Sequence, residues 1–274
     1  MITKRLVLYH FILGTIFISC FNKIDNTDVI SKLEARYYHN EKYAYDLPYR
    51  FYAPTGLDID GKYPMVLVLH GGGGRGTDNR SHIGIGVEVL TSDEFQRKHP
   101  CFVMAPQCPT GSQWVNTTFT KTPFDNYKQE EIPESDAMKM IIASILSLIH
   151  EFNIDDNRLY VMGSSMGASG TWDLITRYPD LFAAAVTMSG VSDPSTAAKI
   201  AHMPIWAFHG RKDAVSPLYV TQNMIDALRK HQSRCRFTVY DDRGHDIEEI
   251  TLHNGQLIEW LFSQKKEASS INEQ

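Results

Sequence analysis

The stretch RLYVMGSSMGASGTWDLITRYPD, residues 158–180, joins an apolar run to a helix-spaced one through three glycines and two adjacent serines. Glycine and serine are poor helix formers, so their concentration at a helix start needs a reason. Residues 163–167 read Gly-Ser-Ser-Met-Gly, a G-x-S-x-G pattern set between a strand and a helix, which is the context of a nucleophile elbow. Such a turn holds the Ser165 backbone in a strained conformation and lifts its hydroxyl clear of the helix. Side chains at 163 and 167 would collide with the neighbouring backbone.

Working outward, short apolar runs alternate with amphipathic ones. YPMVLVLH (63–70), CFVMAP (101–106), RLYVMG (158–163), FAAAVTMSG (182–190), MPIWAFHG (203–210) and CRFTVYDD (235–242) read as strands. Most are continuous rather than alternating, as in parallel strands covered on both faces. YAYDLPYRFYAP alternates and reads as an antiparallel edge strand or hairpin. Between the strands, SDAMKMIIASILSLIHEF places Met138, Ile141, Ile142, Ile145, Leu148, Ile149 and Phe152 on one helical face, with Ser135 as N-cap. In SPLYVTQNMIDALRKH, Ser216 reads as a cap with Pro217 at the first helical position, ahead of a stripe of Val220, Met224, Ala227 and Leu228. The pattern predicts a doubly wound, mostly parallel α/β sheet with helices on both faces, whose sites lie at the C-terminal strand ends.

The 274 residues suit one large domain, and no internal repeat or low-complexity tract interrupts them. A formal charge of −5 without a basic block excludes nucleic acid as a partner class. At the N-terminus, Lys4 and Arg5 precede an apolar run from Leu6 to Ile18 and then Ser19-Cys20. This run is too short for a membrane span and reads as an export signal over residues 1–19. Ser19 before Cys20 resembles a lipobox, with Cys20 as the lipidated residue, although Phe17 fits less well than leucine. The expectation is an exported lipoprotein, periplasmic or at the outer surface, touching membrane only through that anchor; plain secretion is the alternative. Residues 20–36 read as a polar tether, 37–266 as the catalytic domain and 267–274 as a tail. Cys101 and Cys108 are too far apart along an extended strand to pair. A Cys108–Cys235 pair stays open, beside the simpler reading of three thiols.

A serine hydroxyl is a weak nucleophile without a base, and in this fold the acid and then the histidine follow it, each after a later strand. Asp213, in PIWAFHGRKDAVSP, and His245, in RFTVYDDRGHD, stand in those places. Asp193, after the preceding strand, is the alternative acid. His70 and His209 end strands and read as packing or locally bonded residues. An oxyanion hole needs two donors. The Met166 N–H follows the nucleophile, and LVLHGGGGRGTDN supplies the second, from Gly72 or, next, Gly71. A phosphate-binding reading of that glycine run lacks the Lys-Ser/Thr ending of a P-loop. Trp114, on a loop after a strand end, and Gln107 are candidates to line the substrate site, with Trp172 behind them. No His/Cys cluster has metal-ligand spacing, and no cofactor is expected.

Together, LPYRFYAP, YPMVLVLHGGGGRGTDN, CFVMAPQCP, IDDNRLYVMGSSMGASGTWDLITRYPDLFAAAV, PIWAFHGRKDAVSP and DRGHD resemble α/β-hydrolase esterases related to the prolyl oligopeptidase catalytic domain. That group includes phospholipase/carboxylesterase-like lipoproteins and feruloyl or acetyl-xylan esterases. The resemblance runs from about Tyr43 to Phe262. It implies Ser165 as nucleophile, His245 as base and Asp213 as orienting acid. One departure stands out: many relatives carry an acid where this chain has Gly74, just before Arg75. The function expected is hydrolysis of short-chain or hydroxycinnamoyl esters, such as those of plant polysaccharides, because no long apolar insertion offers a lipase lid. A serine peptidase and a catalytically silent binding lipoprotein are the alternatives.

Overall fold

Side chains along each central strand alternate between two cores, and this alternation sets the layers. The computed structural model describes residues 27–58, 60–117 and 124–266. The strands are β1 (Glu34–Tyr38), β2 (Leu47–Tyr52), β3 (Tyr63–Leu69), β4 (Phe102–Pro106), β5 (Ile154–Ser164), β6 (Ala184–Met188), β7 (Ile205–Gly210) and β8 (Arg236–Tyr240). The helices are α1 (Thr27–Ser31), α2 (Ile85–Leu90), α3 (Asp93–Lys98), α4 (Asp136–Glu151), α5 (Met166–Arg177), α6 (Ala197–Ile200), α7 (Tyr219–Lys230), α8 (Glu248–Leu252) and α9 (Gly255–Phe262). Met65, Leu67 and Leu69 of β3 face α4, α5, α6 and α7, while Val66 and Val68 face α2, α3, α8 and α9. Each fully buried leucine or isoleucine in these layers contributes roughly 2 kcal/mol.

The sheet runs β1-β2-β4-β3-β5-β6-β7-β8. β2 is antiparallel to β1 and β4, and the remaining neighbours are parallel. This is the predicted doubly wound sheet, with YAYDLPYRFYAP supplying the antiparallel β2.

Local signals mostly act as expected. Ser135 caps α4 by accepting the Met138 N–H. Two expectations need correction. α7 begins at Tyr219 rather than at Pro217, because the Ser216 N–H donates to Asp213 and the Ser216 carbonyl accepts from His209. Residues 27–36, assigned to a tether, contain α1 and the start of β1, and Leu33 is buried with Val29 and Ile30 packed beside it. The export signal, Cys20 and the 267–274 tail lie outside the described residues. Cys101, Cys108 and Cys235 are free thiols. No described helix is long and apolar enough to cross a membrane.

Candidate active site

The C-terminal ends of the parallel strands bring the site residues together. Ser165 sits between β5 and α5 with φ 54° and ψ −117°, a conformation an L-residue adopts at a cost of about 1–3 kcal/mol. Its N–H donates to the Met188 carbonyl at 2.8 Å, which ties the turn to the end of β6. A Cβ on Gly167 would overlap the Leu69 carbonyl, so only glycine lets α5 start this close to β3. As N-cap, Ser165 leaves its hydroxyl uncommitted to the helix. The hydroxyl lies 2.7 Å from His245 Nε2 instead.

His245 follows β8, and its Nδ1 lies 2.7 Å from Asp213 Oδ2. A carboxylate only accepts, so Nδ1 carries the proton and Nε2 is free to accept from Ser165. Asp213 follows β7, with its side chain sealed from solvent. Its Oδ1 accepts the Val215 N–H at 2.8 Å and the Ser216 N–H at 2.9 Å. Burial pushes this carboxyl up, but the Ser216 N–H, His245 and the Val215 N–H outweigh it and hold the acid below its ordinary value.

The alternative acid is engaged elsewhere. Asp193 accepts from the Gln129 N–H and from Ser195, so it braces the loop after β6. Asp241 pairs with Arg211 on the surface.

The glycine loop passes alongside Ser165. A Cβ on Gly71 would lie 3.7 Å from the Ser165 Cβ. His70 Nδ1 lies 2.6 Å from the Gly71 carbonyl, and His70 Nε2 accepts the Cys108 N–H at 3.0 Å. Fixing the Gly71 carbonyl also fixes the Gly72 N–H, because the two belong to one planar, trans peptide and point oppositely. Met166 opens α5, where backbone N–H groups lack intrahelical acceptors. Gly71 and Met166 thus border Ser165, and Gly72 follows Gly71 on the same loop. Arg75 lies along Gly72 and places Nη1 3.4 Å from the Met166 sulfur. A Cβ on Gly74 would come within 2.6 Å of His70 Nδ1, so the acid that relatives carry there has no room in this packing.

Trp114 and Gln107 do not line an open site. Trp114 is fully buried, donates to the His70 carbonyl at 3.0 Å and packs edge-on against the His70 ring. Gln107 is equally buried, bonded to Asn79, Gly74 and Asp78. Trp172 lies in the core. Trp114 and Gln107 thus brace the glycine loop after β3. A strand-end position was compatible with either role; the deep packing of loop 107–117 under His70 leaves no signal in single residues. Sequence reasoning gave no role to Glu248, whose carboxyl accepts from the Ser164 hydroxyl and the Gly86 N–H and is raised chiefly by burial. Among the described residues, no cluster of three His, Cys, Asp or Glu side chains is placed to hold a metal.

Sheet order, elbow and strand-end site define an α/β-hydrolase. The chain belongs to the dienelactone hydrolase family, whose model matches residues 52–250. A thermostable esterase of known structure is similar at 35% identity and TM-score 0.76, over 87% of this chain and 64% of that one. The chain therefore spans less than two thirds of that protein's length. Esterase PE8 superposes with TM-score 0.58 at 19% identity, over 84% of this chain and 99% of that one. A dipeptidyl aminopeptidase IV-like protein from Bacteroides ovatus gives 0.63 at 17% identity, over 85% of this chain and 36% of that one. These last two share the fold. No curated protein matches the chain.

Proposed function

We propose that the protein is a serine carboxylic-ester hydrolase acting through an acyl-enzyme. The observation that carries this reading is the pair of 2.7 Å contacts linking Ser165, His245 and Asp213. Ser165 Oγ attacks the ester carbonyl carbon as its proton passes to His245 Nε2. The tetrahedral oxyanion rests on the N–H groups of Met166 and Gly72. The bond to the alcohol then breaks as Nε2 returns the proton to the leaving oxygen. Water repeats the cycle and releases the acid. Asp213 keeps the imidazole in the tautomer this requires.

The substrate class we favour is short-chain or hydroxycinnamoyl esters, including those on polysaccharides. The likeness to a thermostable esterase supports ester hydrolysis. A panel of aryl esters of increasing chain length, methyl ferulate, acetylated xylan and a chromogenic peptide tests the reading. Acetyl, butyryl or feruloyl esters should be cleaved fastest, and Ser165→Ala should abolish turnover while leaving the fold intact. Faster cleavage of the peptide amide would replace the esterase with a peptidase, and a preference for palmitoyl esters would overturn the acyl class. Export with lipidation at Cys20 is proposed from the sequence. Cys20→Ser should move the protein out of the membrane fraction, and a wild type without lipid on its N-terminal peptide would sink the anchor.

A further inference from the structure

Asp213 has a neighbour that the triad does not use. His209 ends β7 and is completely buried. Its Nε2 lies 2.7 Å from the Ser216 carbonyl and 3.3 Å from Asp213 Oδ2. Both are acceptors, so Nε2 carries a proton. Its Nδ1 lies 2.9 Å from the Thr221 hydroxyl on α7, and that hydroxyl lies 3.0 Å from the Gly190 carbonyl after β6. Burial pushes the imidazole below its ordinary value against the pull of Ser216 and Asp213, so it works as a neutral ring. The charged or titratable groups facing it are Asp213, on its own loop, and His245, on the loop after β8; α7 offers the Thr221 hydroxyl and β6 the Gly190 carbonyl.

This arrangement acts on Asp213 twice. Directly, the Nε2 proton sits beside Oδ2, the oxygen that also receives the His245 proton. Indirectly, it anchors Ser216, whose own N–H holds Oδ1. We propose that His209 is a positioning residue for the hydrolysis: its buried Nε2–H, set between the Ser216 carbonyl and Asp213 Oδ2, fixes the orientation of Asp213 and tempers the hold of Oδ2 on His245. This rests on the serine-esterase reading. Removing the Nε2 donor leaves Oδ2 with His245 as its one side-chain donor. A carboxylate with fewer donors accepts the His245 proton more strongly, and an Asp213 freed to turn should orient the ring less well.

The test compares His209→Leu, His209→Asn and His209→Gln with the wild type. It reads the NMR resonance of the His245 Nδ1 proton, and kcat and KM on 4-nitrophenyl acetate. His209→Leu should shift that resonance downfield, because Oδ2 then accepts from His245 alone. It should lower kcat by about tenfold with KM unchanged, a small part of the ~10⁴-fold lost when a triad acid is replaced. His209→Gln, whose amide N–H can reach the place of Nε2, should restore both. His209→Asn, whose shorter amide stops short of that place, should behave like the leucine variant. If His209→Leu fails to fold, His209→Asn decides: a shifted resonance supports the role and an unmoved one overturns it. An unmoved resonance in folded His209→Leu, or a His209→Gln no better than the leucine variant, would reduce His209 to packing. A wild type that cleaves no ester while His209→Leu still moves the resonance would overturn the esterase reading and leave the positioning intact.

Discussion

Ser164 and Ser165 are adjacent hydroxyls with different partners. The Ser164 hydroxyl donates to Glu248, whereas that of Ser165 faces His245. Ser164→Ala should therefore keep most of the turnover and lose about 1 kcal/mol of stability, because a buried acceptor loses its donor. Loss of turnover in that variant would mean that the elbow is displaced by one residue. Asp213→Asn preserves shape but offers His245 Nδ1 an amide in place of a carboxylate. Stabilisation of the wrong tautomer should cost on the order of 10⁴ in kcat, measured on a nitrophenyl ester. A variant with near-normal kcat would remove Asp213 from the mechanism. At Gly74 the constraint is space alone. Gly74→Ala sets a Cβ 2.6 Å from His70 Nδ1 and 3.0 Å from the His82 Cα, so thermal unfolding should show a loss of about 1–3 kcal/mol. An unchanged melting temperature would mean that the His70 ring yields freely.

At the scale of elements, loop 107–117 acts as a wedge under the glycine loop after β3 rather than as a substrate wall. Trp114 connects the two, bonding the His70 carbonyl while packing near Gly170 of α5. Trp114→Ala should cost about 3–5 kcal/mol by leaving a cavity. It should change kcat/KM for a sugar-linked ester and a small nitrophenyl ester by the same factor. A KM rise confined to the sugar-linked ester would return Trp114 to the substrate. This element shows why some features are readable from residues and others are not. G-x-S-x-G, the glycine run after β3 and the Asp213 and His245 loops announce themselves, because each chemical role demands a residue type at a strand end. The central strands are readable because burial on both faces leaves continuous apolar runs. β1 gives no such signal: it pairs through its backbone at the sheet edge, and its side chains are mostly exposed. The start of α7 was misplaced because Ser216, a good cap by type, is claimed by Asp213 and His209, and tertiary contacts of that kind have no local periodicity.

Over the whole molecule, the same burial that organises the site makes stability depend on pH through histidines the chemistry does not use. Burial lowers His70 from 6.5 to about 4 and His82 from 6.5 to about 3. The His82 Nε2–H bonds the Ala105 carbonyl, and its buried Nδ1 has no hydrogen-bond partner. Below pH 6.5 the unfolded chain binds protons that these rings refuse, so stability is fully present above 6.5 and falls as the pH drops towards the folded values. Each such ring adds a slope of up to about 1.4 kcal/mol per pH unit in that window. Asp213 and Asp155, held below their ordinary values, add their own loss only at lower pH, as the medium approaches the carboxylate range. The histidine contribution is therefore separable. His82→Gln keeps a donor for the Ala105 carbonyl and removes the titrating ring. Urea unfolding of this variant between pH 6.5 and about 4 should show a shallower fall of stability than the wild type, by up to about 1.4 kcal/mol per pH unit, with the two curves parallel above 6.5. Parallel curves across the acid window as well would mean that His82 takes up its proton in the folded protein, and the acid sensitivity would then belong to the carboxylates.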